Sequence, residues 1–320
     1  MRRVQLGRSG VTVTEFFFGA GGIGGIGSSV GTRGKGLSLG QGVERLNEAY
    51  ELGIGVVDTA NSYGGGLSEE AVGRWLGERE PDDVLVATKV GGRVEPGQDR
   101  MDLSAAHISR QLAASVRRLG RVDLYLSNGP DPSTPLAETL AAFAAAVEGR
   151  TIRAYGVSNV TPGQREEVLS VADREGLPRP EWVQNSFSLL LRADERDLLP
   201  LASAEGLGYT PYSPLAGGLL SDRYLGGAEP KPGSRIALAG AVYAQVNTPG
   251  GLERVERLAA RARDFDVSTA GLALAWLRWH PNVTAPIVSP RWSGQWDAVH
   301  EALSLDLTDG DAAAIAELFH

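Results

Sequence analysis

Three side chains in the N-terminal third of the sequence can together deliver a proton. Asp58 and Tyr63 share the stretch V-V-D-T-A-N-S-Y-G, and Lys89 closes the stretch A-T-K. A free phenol has a pKa near ~10 and gives up its proton sluggishly at neutral pH. An ammonium beside it stabilises the phenolate and makes the phenol a better acid. A carboxylate beside the ammonium keeps that group charged and oriented. Such a phenol protonates the alkoxide formed when a carbonyl is reduced. No side chain here is a hydride source, so the chemistry needs a cofactor. Taken singly, each residue has a structural explanation: Lys89 as a snorkelling strand-end lysine, Asp58 as a turn cap.

Those residues acquire meaning from the elements around them. Short apolar runs at 15–20, 55–58, 84–89, 124–127, 154–158, 182–185, 208–212 and 284–288 are bounded by Gly, Pro, Asn and Asp. They read as strands buried on both faces of a parallel sheet. Amphipathic patterns at 42–52, 68–76, 104–119, 135–147, 162–172, 193–205, 252–265 and 268–279 lie between them and read as helices. Eight strands interleaved with helices predict an α/β fold, a (β/α)8 TIM barrel, as a single domain over 1–320. Residues 4–14 predict a β-hairpin closing the bottom of the barrel. In such a barrel the C-terminal strand ends converge on one pocket. Asp58, Lys89, Asn128, Ser158 with Asn159, Gln184 with Asn185, Tyr212 and Ser289 all fall at such ends. Two Gly-rich loops, 21–42 and 226–251, follow strands and belong on the same face.

Composition narrows the class. The chain has 320 residues, 42% hydrophobic and 22% charged, enough for a large core. A net charge of −8 argues against a nucleic-acid surface, which needs a basic footprint. There is no cysteine, which excludes disulfides and thiolate chemistry. The four histidines are too dispersed for a metal site, and none is expected. His280 and most tryptophans read as packing residues. The first residues, M-R-R-V-Q, carry no apolar leader, and no run approaches membrane-spanning length, so a cytoplasmic location with no membrane partner is expected. Gly19-x-Gly21-x-x-Gly24 matches a dinucleotide fingerprint, but no helix opens on those glycines, so it reads as a loop.

The motifs, in order, are F-x-x-G-A-G, V-V-D-T-A-N-S-Y-G, A-T-K, V-D-L-Y-x-x-N-x-P-D-P-S-T-P, Y-G-V-S-N, Y-S-P-L-A-G-G-L-L and P-I-V-x-x-R-x-x-x-Q. Together they resemble the aldo-keto reductase superfamily over nearly the full length. The resemblance implies NADPH-dependent reduction of a small aldehyde or ketone, with NADH the less favoured cofactor. It implies Tyr63 as general acid, Lys89 as its partner and Asp58 as the partner of Lys89. It further implies that Ser158, Asn159 and Gln184 hold the nicotinamide carboxamide and that Tyr212 stacks on the ring. Ser213, Leu215, Gly217 and Leu219 would line the pyrophosphate. Ser289 opens the loop in which Arg291 would meet the 2′-phosphate and Gln295 the adenine.

One departure matters most. Where the family usually has a catalytic histidine, this chain has Asn128. An amide can orient a carbonyl oxygen but does not titrate near neutrality. N-x-P-D-P-x-T-P resembles the potassium-channel β subunits of the superfamily, which implies slow turnover. The family's adenine-contacting Glu-Asn pair is replaced by Ala298 and Val299, and loop 21–42 is enlarged. Two alternatives therefore stand beside a reductase: an attenuated, nucleotide-binding regulatory protein, and a lyase forming a Schiff base on Lys89.

Overall fold

The computed structural model describes residues 1–94, 98 and 100–320. An antiparallel hairpin comes first, β1 (Arg3–Gln5) and β2 (Thr12–Thr14), with Val4 opposite Val13. Eight parallel strands follow: β3 (Phe17–Gly19), β4 (Val56–Asp58), β5 (Leu85–Val90), β6 (Leu124–Ser127), β7 (Ala154–Ser158), β8 (Trp182–Gln184), β9 (Gly208–Tyr209) and β10 (Ile287–Val288). They pair in the order β10-β3-β4-β5-β6-β7-β8-β9. The last gap is bridged by Thr284 N–H donating to the Tyr209 carbonyl at 2.8 Å, and by Ile287 N–H donating to that of Pro211 at 2.9 Å. Helices between the strands cover the outside, giving the (β/α)8 barrel.

Strand alternation decides what fills the ring. Phe17, Val56, Ala87, Leu124, Leu126, Ala154, Trp182 and Ile287 form one buried cluster, together with Leu6, Val11 and Val13 of the hairpin. The hairpin therefore plugs the N-terminal end. Trp182 fits inside because position 156 is glycine: a Cβ there would lie 2.6 Å from the indole. Truncating a fully buried tryptophan of this kind to alanine costs about 3–5 kcal/mol. Inward-facing residues recur every second position along a strand. Two positions beyond Val56, Ala87, Leu126 and Trp182 stand Asp58, Lys89, Asn128 and Gln184. The parity that packs the barrel floor thus aims the polar residues into its mouth.

Several expected boundaries shift for local reasons. The helix expected at 42–52 is Leu39–Glu51, because Ser38 and Gln41 form a capping box upstream. The run 193–205 breaks into Ala193–Arg196 and Leu198–Ala204. Pro200 cannot donate to the carbonyl of residue 196, and its ring crowds that group. The strands expected at 208–212 and 284–288 shorten to β9 and β10, where Pro211 and Pro286 lack the ladder N–H. Three helices were not expected: Arg235–Ala239, Asp297–Ser304 and Asp309–Glu317. Among the described residues no helix is long and apolar enough to cross a membrane.

Candidate active site

At the C-terminal end of the barrel lies a cleft of about 1200 Å³. Fourteen of the expected site residues line it: Asp58, Tyr63, Lys89, Asn128, Ser158, Asn159, Gln184, Tyr212, Ser213, Leu215, Gly217, Ser289, Arg291 and Gln295. Leu219 does not. It is 1% exposed and its side chain packs in the core beneath the turn Ala216–Gly218. Asn185 also faces away, holding both backbone groups of Val160 and the carboxylate of Asp194.

At one end of the cleft sits the charged pair. Lys89 Nζ donates to Asp58 Oδ1 at 2.6 Å and to the Thr59 carbonyl at 2.8 Å. Lys89 is 1% exposed and Asp58 3%. Burial acts most strongly on Lys89 and opposes its charge. The attraction of Asp58, then that of Tyr63, together with the hydrogen bond to Asp58, outweigh burial and hold the ammonium above its ordinary value. The ammonium lies 5.0 Å from the Tyr63 ring centre. Tyr63 follows directly on buried Ser62, and its ring edge abuts Gly21, where a Cβ would stand 3.2 Å away. Loop 21–42 crosses the phenol there. Ser28 of that loop lines the cleft and hydrogen-bonds Ser62 at 2.8 Å.

Polar groups continue around the rim. Gln184 Nε2 donates to Asp58 Oδ2 at 2.9 Å. Ser158 Oγ donates to the Gln184 carbonyl at 2.6 Å. Asn159 Nδ2 donates to the Asn128 carbonyl at 2.8 Å, and its Oδ1 accepts from the Tyr212 hydroxyl at 2.7 Å. Asn159 and Ser213 both hold φ near +56°, a strained setting for residues other than glycine and one that clusters at functional sites. Burial, then the neighbouring Tyr63 and Tyr243, push the Tyr212 phenol up to about 12. The Asn128 amide has room beside Gly92, where a Cβ would stand 3.2 Å from Nδ2.

The other end of the cleft is basic, in a chain of net charge −8. Arg223, Lys231, Arg235 and Arg291 line it. Burial, then repulsion from Arg235 and Arg223, lowers the Arg291 pKa, so the three guanidinium groups are close enough to feel one another. Arg291 is fixed by its N–H to Gln295 Oε1 at 2.7 Å and by Nη1 to the Gly233 carbonyl at 2.5 Å. Arg223 stacks on exposed Trp292, 4.7 Å from the ring centre. Clustered guanidinium groups with solvent access match a phosphate group. Of these, only Arg291 is legible in the sequence. Arg223 and Lys231 lie in the irregular segment that leads into the helix Arg235–Ala239, and Arg235 opens that helix; sequence does not fix the path of this segment. Nothing in their spacing marks them, since residues 221–251 carry Arg223, Lys231 and Arg235 against Asp222 and Glu229. His280 lies outside the cleft, packed edge-on against Phe187 and Trp276.

Comparison with known proteins agrees with this layout. Residues 22–319 match the aldo/keto reductase family. A probable voltage-gated potassium channel subunit beta of Oryza sativa subsp. japonica is 34% identical over 299 residues, covering 90% of this chain and 86% of the relative. A similar subunit from Schizosaccharomyces pombe is 32% identical over 295 residues, covering 88% and 82%. The NADH-specific methylglyoxal reductase of Escherichia coli (strain K12) is 29% identical over 337 residues, covering 99% and 98%. A phenol beside a buried lysine-aspartate pair, at the mouth of a parallel barrel matched over nearly its whole length, places this chain in the aldo/keto reductase family.

Proposed function

We propose that this protein reduces a small aldehyde or ketone to an alcohol, using NADPH, with Tyr63 as proton donor. The observation that carries the reading is the Lys89–Asp58 pair facing Tyr63 in the same cleft as the arginine cluster. A nicotinamide dinucleotide in the cleft would supply the hydride. Ser158, Asn159 and Gln184 would hold its carboxamide, and Tyr212 would lie against the ring. Ser213, Leu215 and Gly217 would line the pyrophosphate, Ser289 opens the loop that carries Arg291, and Gln295 would lie near the adenine. Arg291, with Arg223 and Arg235, takes the 2′-phosphate, which favours NADPH over NADH.

Lys89 keeps its proton and stabilises the phenolate left on Tyr63 after transfer. Asp58 holds Lys89 in place. Asn128 donates a hydrogen bond to the carbonyl oxygen and moves no proton. A Schiff base on Lys89 requires a neutral amine, and the ion pair with Asp58 opposes that. A second reading, a slow, nucleotide-binding regulatory protein, rests on Asn128 and on the likeness to channel β subunits.

Nicotinamide fluorescence titrated with NADPH and with NADH, followed by steady-state turnover on a panel of aldehydes and ketones, tests the proposal. Tight NADPH binding with turnover on some members supports reduction. Tight binding without turnover on any of them supports the regulatory reading.

A further inference from the structure

Gln184 does more in this structure than face the cleft. Its Nε2 donates to Asp58 Oδ2 at 2.9 Å, while Lys89 occupies Oδ1 at 2.6 Å. The strands that carry Gln184 and Asp58, β8 and β4, are not neighbours in the sheet, so this bond spans the mouth of the ring. Its chemistry fixes its sense. A carboxylate only accepts hydrogen bonds, so the amide nitrogen of Gln184 must point at Asp58. Gln184 is 2% exposed, and its backbone carbonyl accepts from Ser158 Oγ at 2.6 Å and from Asn159 N–H at 3.2 Å. The side chain is therefore anchored at both ends.

A carboxylate bonded through one oxygen can still swing about its side-chain torsion. A second bond on the other oxygen fixes its plane. We propose that Gln184 is a positioning residue for proton transfer, locking Asp58 so that Lys89 stays aimed at Tyr63. The amide that borders the nicotinamide seat thereby also orients the acid. This inference rests on the reductase reading above, and wild-type turnover with NADPH tests that reading separately.

The experiment is a double-mutant cycle on the full chain between Gln184→Met and Asp58→Asn, with NADPH affinity read independently by nicotinamide fluorescence. Methionine keeps the length and volume but cannot donate. Gln184→Met is expected to lower kcat roughly 10–100-fold, the scale of a small misplacement of a reacting group. The Kd for NADPH should rise as well, because Gln184 also borders the carboxamide, so kcat is compared at saturating NADPH. In the Asp58→Asn background the same change should have almost no further effect, because the two residues act as one unit. If turnover in that background is too slow for steady state, single-turnover hydride transfer at saturating NADPH reads the same cycle. Gln184→Asn, which keeps an amide too short to reach Asp58, should match Gln184→Met and replaces it if the methionine variant fails to fold. The proposal is overturned if the loss falls on NADPH Kd with kcat at saturation retained, or if the two substitutions are additive.

Discussion

Lys89 and Asp58 are joined 2.6 Å apart across neighbouring strands β5 and β4, with almost no solvent access to either side chain. Removing one partner of such a pair leaves an uncompensated buried charge. Lys89→Met is expected to lower stability by about 3–5 kcal/mol. Adding Asp58→Asn to it should recover much of that loss, since no buried charge then remains. Denaturant unfolding of the two variants checks this. Both should be without measurable turnover, because neither retains the ammonium.

Under the proposed function, Arg291 separates the two nicotinamide cofactors. A charge-assisted hydrogen bond contributes about 1.5–3 kcal/mol, so Arg291→Ala should weaken NADPH roughly 10–100-fold. NADH, which lacks the 2′-phosphate, should be nearly unaffected. Fluorescence titration with both cofactors reads the difference. An equal loss for both would remove the 2′-phosphate from the basic end of the cleft.

Asn128 stands where it can orient an oxygen but cannot titrate. The wild-type pH–rate profile should therefore carry no limb from this position. Asn128→His should add one near pH ~6.5, the ordinary imidazole range. Profiles of kcat for both proteins, measured from pH 5 to 9, make the comparison.

Asp131 holds the segment that follows Asn128. Its carboxylate accepts from Leu103 N–H at 2.9 Å, Ser133 N–H at 2.9 Å and Thr134 Oγ1 at 2.7 Å. Burial pulls its pKa upward, but the hydroxyls of Ser133 and Thr134 and these backbone donors prevail, and the group falls from 3.8 to about 2. A depressed carboxyl stabilises the fold above its unfolded value and loses that contribution as pH falls through its folded value. Wild-type stability should therefore carry a component lost between pH 3.8 and about 2. Asp131→Asn should lack that component. Thermal melts across this range test it.

Much of the site was legible because strand parity is legible. Val56 and Asp58, or Ala87 and Lys89, differ by one period of a strand, so an apolar run ending in a polar residue marks both the barrel floor and its mouth. Leu219 misled because its motif names a stretch of chain without saying which members of a tight turn face outward. Gly217 lines the cleft, while Leu219, two positions on, is buried. Arg223 and Arg235 were not legible because the segment that brings them to Arg291, between the barrel and the short helix Arg235–Ala239, has no periodicity to read. The C-terminal helix Asp309–Glu317 had a readable start, the capping box of Thr308 and Asp311, but its alanine-rich pattern gives a weak apolar face.

Single-turnover reduction of a carbonyl substrate at saturating NADPH, wild type against Tyr63→Phe, tests the central claim most directly. The phenylalanine variant keeps the ring and loses only the hydroxyl. The account predicts a rate lower by roughly 10²–10⁴-fold, the usual contribution of a positioned acid, with NADPH affinity nearly unchanged. A variant that reduces the substrate as fast as the wild type would contradict it.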